Sequence, residues 1–127
     1  MIAVETSALM AIVLDEPQAD ACIAALQTAD EILISAATAA ESLIVAARRG
    51  VHEEMKSLIA HLGLNVISVT QASAERVAHI YSLWGKGNHA AGLNFGDCFA
   101  YDIAREHGCA LLYVGDDFAK TDIAAIA

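Results

Sequence analysis

The sequence is short of basic residues, cysteines and long apolar runs, and each shortage excludes a class of protein. Seven Lys and Arg face 16 Asp and Glu, a formal charge of −9, which argues against a protein that coats nucleic acid with a basic surface. The longest stretch without an acidic or basic side chain, residues 57–74, contains polar residues and does not resemble a membrane span. The first four residues lack the basic region of a signal peptide.

The cysteines are few and odd in number. Cys22, Cys98 and Cys109 have no zinc-type spacing, so we expect reduced thiols of a cytoplasmic protein rather than disulfides or a zinc centre. Cys98 follows Asp97 directly, and a nearby carboxylate would raise the pKa of the thiol. We therefore reject a cysteine nucleophile.

What the sequence does contain is hydrophobic residues, 57% of 127, which excludes a disordered chain and suffices for one domain with its own core. Strand-like runs alternate with helical patterns, with no linker or internal repeat between them. We predict strands at 2–5, 31–35, 64–69 and 110–114, and helices at 7–14, 17–27, 36–49, 51–62, 70–84 and 97–107. This alternation predicts a single α/β domain over residues 1–127, a three-layer α/β/α sandwich around a mainly parallel sheet.

Four acidic residues do not fit an ordinary solvated surface. Glu5 and Asp116 each end a predicted strand, and the carboxyl ends of parallel strands meet at one edge of the sheet. Glu41 interrupts a run, residues 32–47, that is otherwise uncharged, where a lone carboxylate needs a partner. Asp97 begins a predicted helix, where an aspartate is also an ordinary cap.

Carboxylates gathered at one edge need a compensating cation. No histidine or cysteine accompanies these four residues, which favours a hard divalent ion, Mg²⁺ or Mn²⁺, with oxygen ligands. Such a site suits phosphoryl transfer or phosphodiester hydrolysis.

The same residues lie in segments that resemble a known family. Glu5-Thr-Ser-Ala-Leu, Ser35-Ala-Ala-Thr-Ala-Ala-Glu41, Gly85-Lys-Gly-Asn-His89, Leu93-Asn-Phe-Gly-Asp-Cys-Phe-Ala-Tyr101 and Gly115-Asp-Asp-Phe118 occur in the order and spacing of PIN-domain ribonucleases, and most resemble the VapC toxins of bacterial toxin–antitoxin pairs. The resemblance covers essentially the whole chain. It implies an Mg²⁺- or Mn²⁺-dependent endoribonuclease that cleaves RNA, often structured RNA such as tRNA. It also implies a homodimer and inhibition by a VapB-type antitoxin.

Carried over by position, the resemblance implies catalytic and metal-binding roles for Glu5, Glu41, Asp97 and Asp116. Asp117 competes with Asp116, which we favour because it lies nearer the strand end. Thr6, Ser7 and Asn94 are expected to be supporting polar residues.

One position departs from the family pattern. The first motif normally begins with aspartate, and Glu5 places the carboxylate one methylene farther from the backbone. Mg²⁺ demands near-ideal octahedral geometry. The chain is therefore either an active ribonuclease or a weakened, catalytically inactive PIN-like module that acts mainly by binding its antitoxin.

Contact with RNA requires local positive charge. The candidates are Arg48 and Arg49 at a helix end, and Lys86 and His89 in the glycine-rich loop, each of which is also compatible with a plain solvated position. A receiver domain and a haloacid-dehalogenase-type phosphatase are minor alternatives. The former needs a phosphoacceptor aspartate after the middle strand, and the latter needs a second acid after Glu5; neither is present.

Overall fold

The computed structural model describes residues 1–126, which form four parallel strands and six α-helices. In chain order these are β1 Ile2–Val4, α1 Thr6–Val13, α2 Ala19–Thr28, β2 Ile32–Ser35, α3 Ala36–Arg48, α4 His52–His61, β3 Asn65–Ile67, α5 Gln71–Trp84, α6 Phe95–His107 and β4 Ala110–Leu112. A single 3₁₀ turn, Phe118–Lys120, follows. The strand order is β3-β2-β1-β4, which confirms the predicted α/β fold with a parallel central sheet.

The central strands are buried on both faces, as their nearly continuous apolar sequences predict. Ala3 lies between Leu33 of β2 and Leu111 of β4 in register, and all three side chains enter the core cluster beneath α5 and α6. Their neighbours Val4 and Ile34 point to the opposite face. The sheet is thus the middle layer of three.

Helices cover the two faces unequally. On one face, α5 and α6 supply Val77, Ile80 and Phe99 to the core. On the other, α1, α2, α3 and α4 converge, with Leu9 and Met55 at the centre of that cluster. Because all four strands are parallel, the chain leaves each of them at the same edge of the sheet.

Four elements have an end two residues from the prediction: α2 begins later, α6 begins earlier, and β3 and β4 end earlier. Asn94, rather than Asp97, is the N-cap of α6, so the helix begins two residues earlier than predicted. Pro17 lies in a turn before α2 rather than in its first turn, and Gln18 is the residue that precedes the helix. Ser35 caps α3, its hydroxyl accepting from the Ala37 N–H at 3.2 Å.

In residues 1–126 we find no helix long and apolar enough to cross a membrane.

We expect Met55→Ala to lower the free energy of unfolding by about 2–5 kcal/mol, the usual cost of truncating a buried methionine. Met55 is the fully buried residue of α4, which packs against α1 and α3. Chemical denaturation measures the effect, and Lys56→Ala, one exposed position later on the same helix, is the control. Equal stability of the two variants would show that α4 is not docked in this way.

Candidate acidic site

Glu5 stands where β1 passes into α1 and serves as the N-cap of that helix. Its Oε2 accepts hydrogen bonds from the Ser7 N–H at 2.8 Å and from the Ser7 hydroxyl. The Ser7 hydroxyl oxygen in turn accepts from the Val114 N–H at 2.8 Å, just after β4. Only 5% of Glu5 is exposed, so this residue is buried where the adjacent strands β1 and β4 end.

Asp97 is held by the first turn of α6. Its backbone N–H donates to Asn94 Oδ1 at 2.9 Å, and its own Oδ2 accepts from the Asn94 N–H at 3.0 Å. This reciprocal pair is a capping box, which satisfies two helix-end N–H groups at once. Asp97 is 7% exposed, so the cap keeps a buried carboxylate in one orientation.

Glu41 reaches the same place from α3. Thr6 Oγ1 donates to its Oε1 at 2.6 Å, and the fully buried Ser42 hydroxyl donates to Thr6 Oγ1 at 3.1 Å. The Glu41 carboxylate also lies against Gly96, where an added Cβ would stand 2.1 Å from Oε2. Glycine at position 96 is therefore what lets α3 bring its carboxylate beside Asp97.

The electrostatics show that these carboxyls are close to one another. Burial, opposed by the Ser7 hydrogen bonds and reinforced by the charges of Asp97 and Glu41, raises the pKa of Glu5 to about 7. Burial also raises the pKa of Asp97 to about 6, reinforced by Glu41 and Asp117 and opposed by hydrogen bonds from Asn94 and Glu5. We call Glu5, Glu41 and Asp97 the acidic triad; when all three are ionised they carry like charges at one edge of the sheet.

The turn after β4 contributes a more distant acid. Asp116 and Asp117 are both exposed. Asp117 is the one whose charge contributes to the raised pKa of Asp97. The identity of the fourth acid of the site stays a prediction. The sequence favoured Asp116, whereas this electrostatic contribution favours Asp117.

Within residues 1–126, none of the predicted cationic side chains forms a hydrogen bond or ion pair with a carboxylate of the triad. Arg48 and Arg49 are exposed at the end of α3, and Arg48 lies two helical turns, about 10 Å of axial rise, beyond Glu41. Lys86 is exposed, and His89 stacks edge-on with Trp84 while its Nδ1 accepts from the Ala91 N–H. Their roles in RNA binding stay predictions.

Sequence reasoning missed two residues that shape the site. Ser42 supports Thr6, and Gly96 makes room for Glu41. Each is adjacent in sequence to a predicted acid, but a serine and a glycine carry no charge signal that separates them from ordinary small residues of a helix.

The donor set fits a hard divalent cation in its chemistry. The triad offers only carboxylate oxygens, and its buried like charges call for a compensating positive charge. Within residues 1–126, no three His, Cys, Asp or Glu side chains converge closely enough to hold a metal ion as they stand. One oxygen of each triad carboxylate is engaged with Ser7, Thr6 or Asn94, so the carboxylates would have to turn toward one another to share an ion.

A cysteine nucleophile finds no support at the site. Cys98 adjoins Asp97 but is fully buried, and burial together with the Asp97 charge raises the pKa of its thiol to about 11. The thiol therefore stays protonated at neutral pH, in agreement with the prediction from the sequence.

The fold and the acidic triad together have a counterpart among known proteins. The PIN-domain family model matches residues 2–124. The chain therefore belongs to the PIN-domain family.

Relatives in sequence and neighbours in structure lie in one group of PIN-domain proteins, the VapC group. Ribonuclease VapC30 of Mycobacterium tuberculosis is 38% identical over 127 residues, covering 98% of this chain and 97% of the relative. The crystal structure of Mycobacterium tuberculosis VapC20, a sarcin-ricin loop cleaving toxin, matches 99% of this chain and 98% of that one with a TM-score of 0.81 at 17% identity. A toxin-antitoxin complex from Klebsiella pneumoniae matches with a TM-score of 0.75 at 18% identity, covering 99% of this chain and 97% of that one. The sequence resemblance to the VapC group is thereby confirmed.

The raised pKa of Glu5 predicts that the metal-free protein loses stability as pH rises. The unfolded carboxyl ionises near 4.5, whereas the folded one holds its proton until about 7. The contribution of the protonated Glu5 carboxyl to the free energy of unfolding is therefore complete below pH 4.5. It declines between pH 4.5 and pH 7, by about 3 kcal/mol in all. Thermal unfolding in EDTA from pH 5 to pH 8 should show a smaller decline for Glu5→Gln than for the wild type.

Glu54→Gln, at an exposed position of α4, is the control and should leave the decline unchanged. Parallel curves for the wild type and Glu5→Gln would show that the Glu5 carboxyl is not ionising in a buried place.

Proposed function

We propose that this protein is a metal-dependent endoribonuclease toxin that hydrolyses phosphodiester bonds of RNA at the acidic triad. The observation that carries this proposal is that the half-buried Glu41 joins the buried Glu5 and Asp97 at the sheet edge, in a chain 38% identical to a ribonuclease. Like charges that are buried together destabilise a fold. A divalent cation would neutralise them and would also stabilise charge on a phosphate group, which explains why such a cluster could be present.

The proposed cofactor is Mg²⁺ or Mn²⁺, which when bound activates water and stabilises charge on phosphate oxygens. Glu5 and Asp97 would hold the ion, with Asp117 or Asp116 at the open side. The Thr6 hydroxyl fixes Glu41 Oε1, which places this carboxylate to bind the ion or to accept the proton of the attacking water. Asn94 keeps the Asp97 carboxylate in place through the capping box.

The proposed partner is a VapB-type antitoxin. Structural neighbours include a toxin-antitoxin complex, and the net charge of −9 suits a partner with a basic segment. A homodimer remains the expectation for the chain itself. RNA is the proposed substrate, with structured RNA such as tRNA as the expected class.

A second candidate function is a PIN-like module with weak or no catalysis that acts through its antitoxin. The observation in its favour is that Glu5 Oε2 is engaged as the cap of α1, accepting from both the backbone and the hydroxyl of Ser7. A carboxylate used in this way is less available to an ion. The Glu5→Asp variant described below separates the two candidates.

We expect Asp97→Asn to abolish RNA cleavage while the protein stays folded. The asparagine retains an oxygen that can accept from the Asn94 N–H but removes the negative charge that would bind the ion. Cleavage of total bacterial RNA with Mn²⁺, followed by mapping of the cut ends, measures the effect. Asp20→Asn, an exposed aspartate of α2, is the control; EDTA-sensitive cleavage by Asp97→Asn would rule out the assignment.

We expect Glu5→Asp to raise the metal-dependent cleavage rate. The shorter side chain restores the residue usual in the family, and a misplacement of about 1 Å at a catalytic site can cost on the order of 100-fold in rate. Single-turnover cleavage with saturating Mn²⁺ measures the change. An unchanged rate in a folded variant would show that the extra methylene of Glu5 does not limit the reaction.

A further inference from the structure

The most exposed large hydrophobic side chain in residues 1–126 is Phe95, the first residue of α6. It is 70% exposed, whereas the other two phenylalanines, Phe99 and Phe118, are buried. Scattered exposed aliphatic residues are normal on a protein surface. This chain has few aromatic residues, and the packing of its core does not explain why one of their rings is exposed to solvent.

The position of Phe95 links it to the acidic triad. Gly96, against whose backbone the Glu41 carboxylate rests, is the next residue, and Asp97 follows it. Successive helix residues rise about 1.5 Å and turn about 100°, so the side chains of Phe95 and Asp97 leave α6 in different directions. Gly96 lies between them, and the Glu41 carboxylate rests against it, so the ring and the triad share the first turn of α6 on neighbouring faces.

The ring is supported from within the protein. Phe99, one turn later on the same helix, meets the Phe95 ring at a centroid distance of 5.0 Å and an interplanar angle of 84°. Phe99 itself belongs to the core cluster under α6. An edge-to-face contact of this kind restricts the ring while leaving most of its surface open.

The charge of the protein favours an uncharged contact with RNA. Of the seven basic residues, Arg76 pairs with Asp102 and Glu106, and Arg105 pairs with Asp122. The other five face an excess of acidic residues, 16 against seven basic ones in all, so attraction between basic side chains and phosphates is limited on this chain. Stacking of a base on an aromatic ring does not depend on phosphate charge and tolerates any base.

From these observations we propose that Phe95 is a stacking platform for an unpaired base of the RNA, next to the phosphodiester bond that lies on the acidic triad. This inference rests on the proposed ribonuclease function. It adds a binding contact outside the acids and a substrate requirement, since a base within a duplex is not available to stack on a protein ring.

The test measures binding of a random-sequence single-stranded RNA, and of a duplex of the same composition, in EDTA by fluorescence anisotropy. Phe95→Ala and Phe95→Leu should each weaken single-strand binding about 5- to 150-fold, because both remove the aromatic face. Phe95→Trp should bind like the wild type. Duplex binding should be the same for all four proteins.

Leu83→Ala, which removes an exposed aliphatic side chain from α5, is the matched control and should bind RNA like the wild type. Cleavage of total bacterial RNA with Mn²⁺ should show the same ranking of the Phe95 variants. The cut sites of the wild type should lie in unpaired segments.

Several outcomes would overturn the inference. Phe95→Leu binding as tightly as the wild type would show that only apolar bulk matters. Phe95→Ala with unchanged RNA binding but a lower mass in sedimentation would assign the ring to contact with a second copy of the chain. A wild type that cuts RNA with all Phe95 variants equally active would contradict the platform alone, whereas a wild type that neither binds nor cuts RNA would contradict the proposed function as well.

Discussion

The burial of carboxylates at one edge of a parallel sheet imposes the main physical demand on this fold. Glu5, Glu41 and Asp97 come from three different elements, and burial, reinforced by the charge of Glu41, raises the pKa values of Glu5 and Asp97. A fold that buries such a cluster must hold each member in place with donors from its own backbone and hydroxyls, because a buried charge without partners is costly. The capping groups and hydroxyls around the site supply these donors.

Each carboxylate has a different means of support. Glu5 caps α1 through Ser7, and Asp97 is half of the capping box that starts α6. Glu41 has no helix end to stabilise, so it relies on the Thr6 hydroxyl and on the space left by Gly96. The same hydrogen bonds that start two helices therefore orient the groups proposed to bind a divalent ion.

Much of the fold was predictable, because burial on both faces of a parallel sheet leaves a strong pattern in the sequence. The four strands and six helices all occur where periodicity predicts them, although β3 and β4 end earlier. At the start of α6 the capping box of Asn94 and Asp97 outweighs the apolar pattern, whereas no side-chain cap marks the start of α2. Of the site, Glu5 was predictable from a strand end and Glu41 from its uncharged surroundings, whereas Asp97 at a helix start was also compatible with an ordinary cap. Ser42 and Gly96 were not, because they act through shape and local hydrogen bonding.

The class of fold and the type of chemistry follow from the sequence, because alternating apolar segments and acids at strand ends carry that information locally. Which residues touch follows only from the three-dimensional packing. It brought Gly96 of α6 against Glu41 of α3, brought Asp117 near enough for its charge to raise the pKa of Asp97, and left Phe95 exposed at the start of α6. These relations depend on how the helices cross the sheet, and contacts between residues far apart in the chain leave no periodic signal in it.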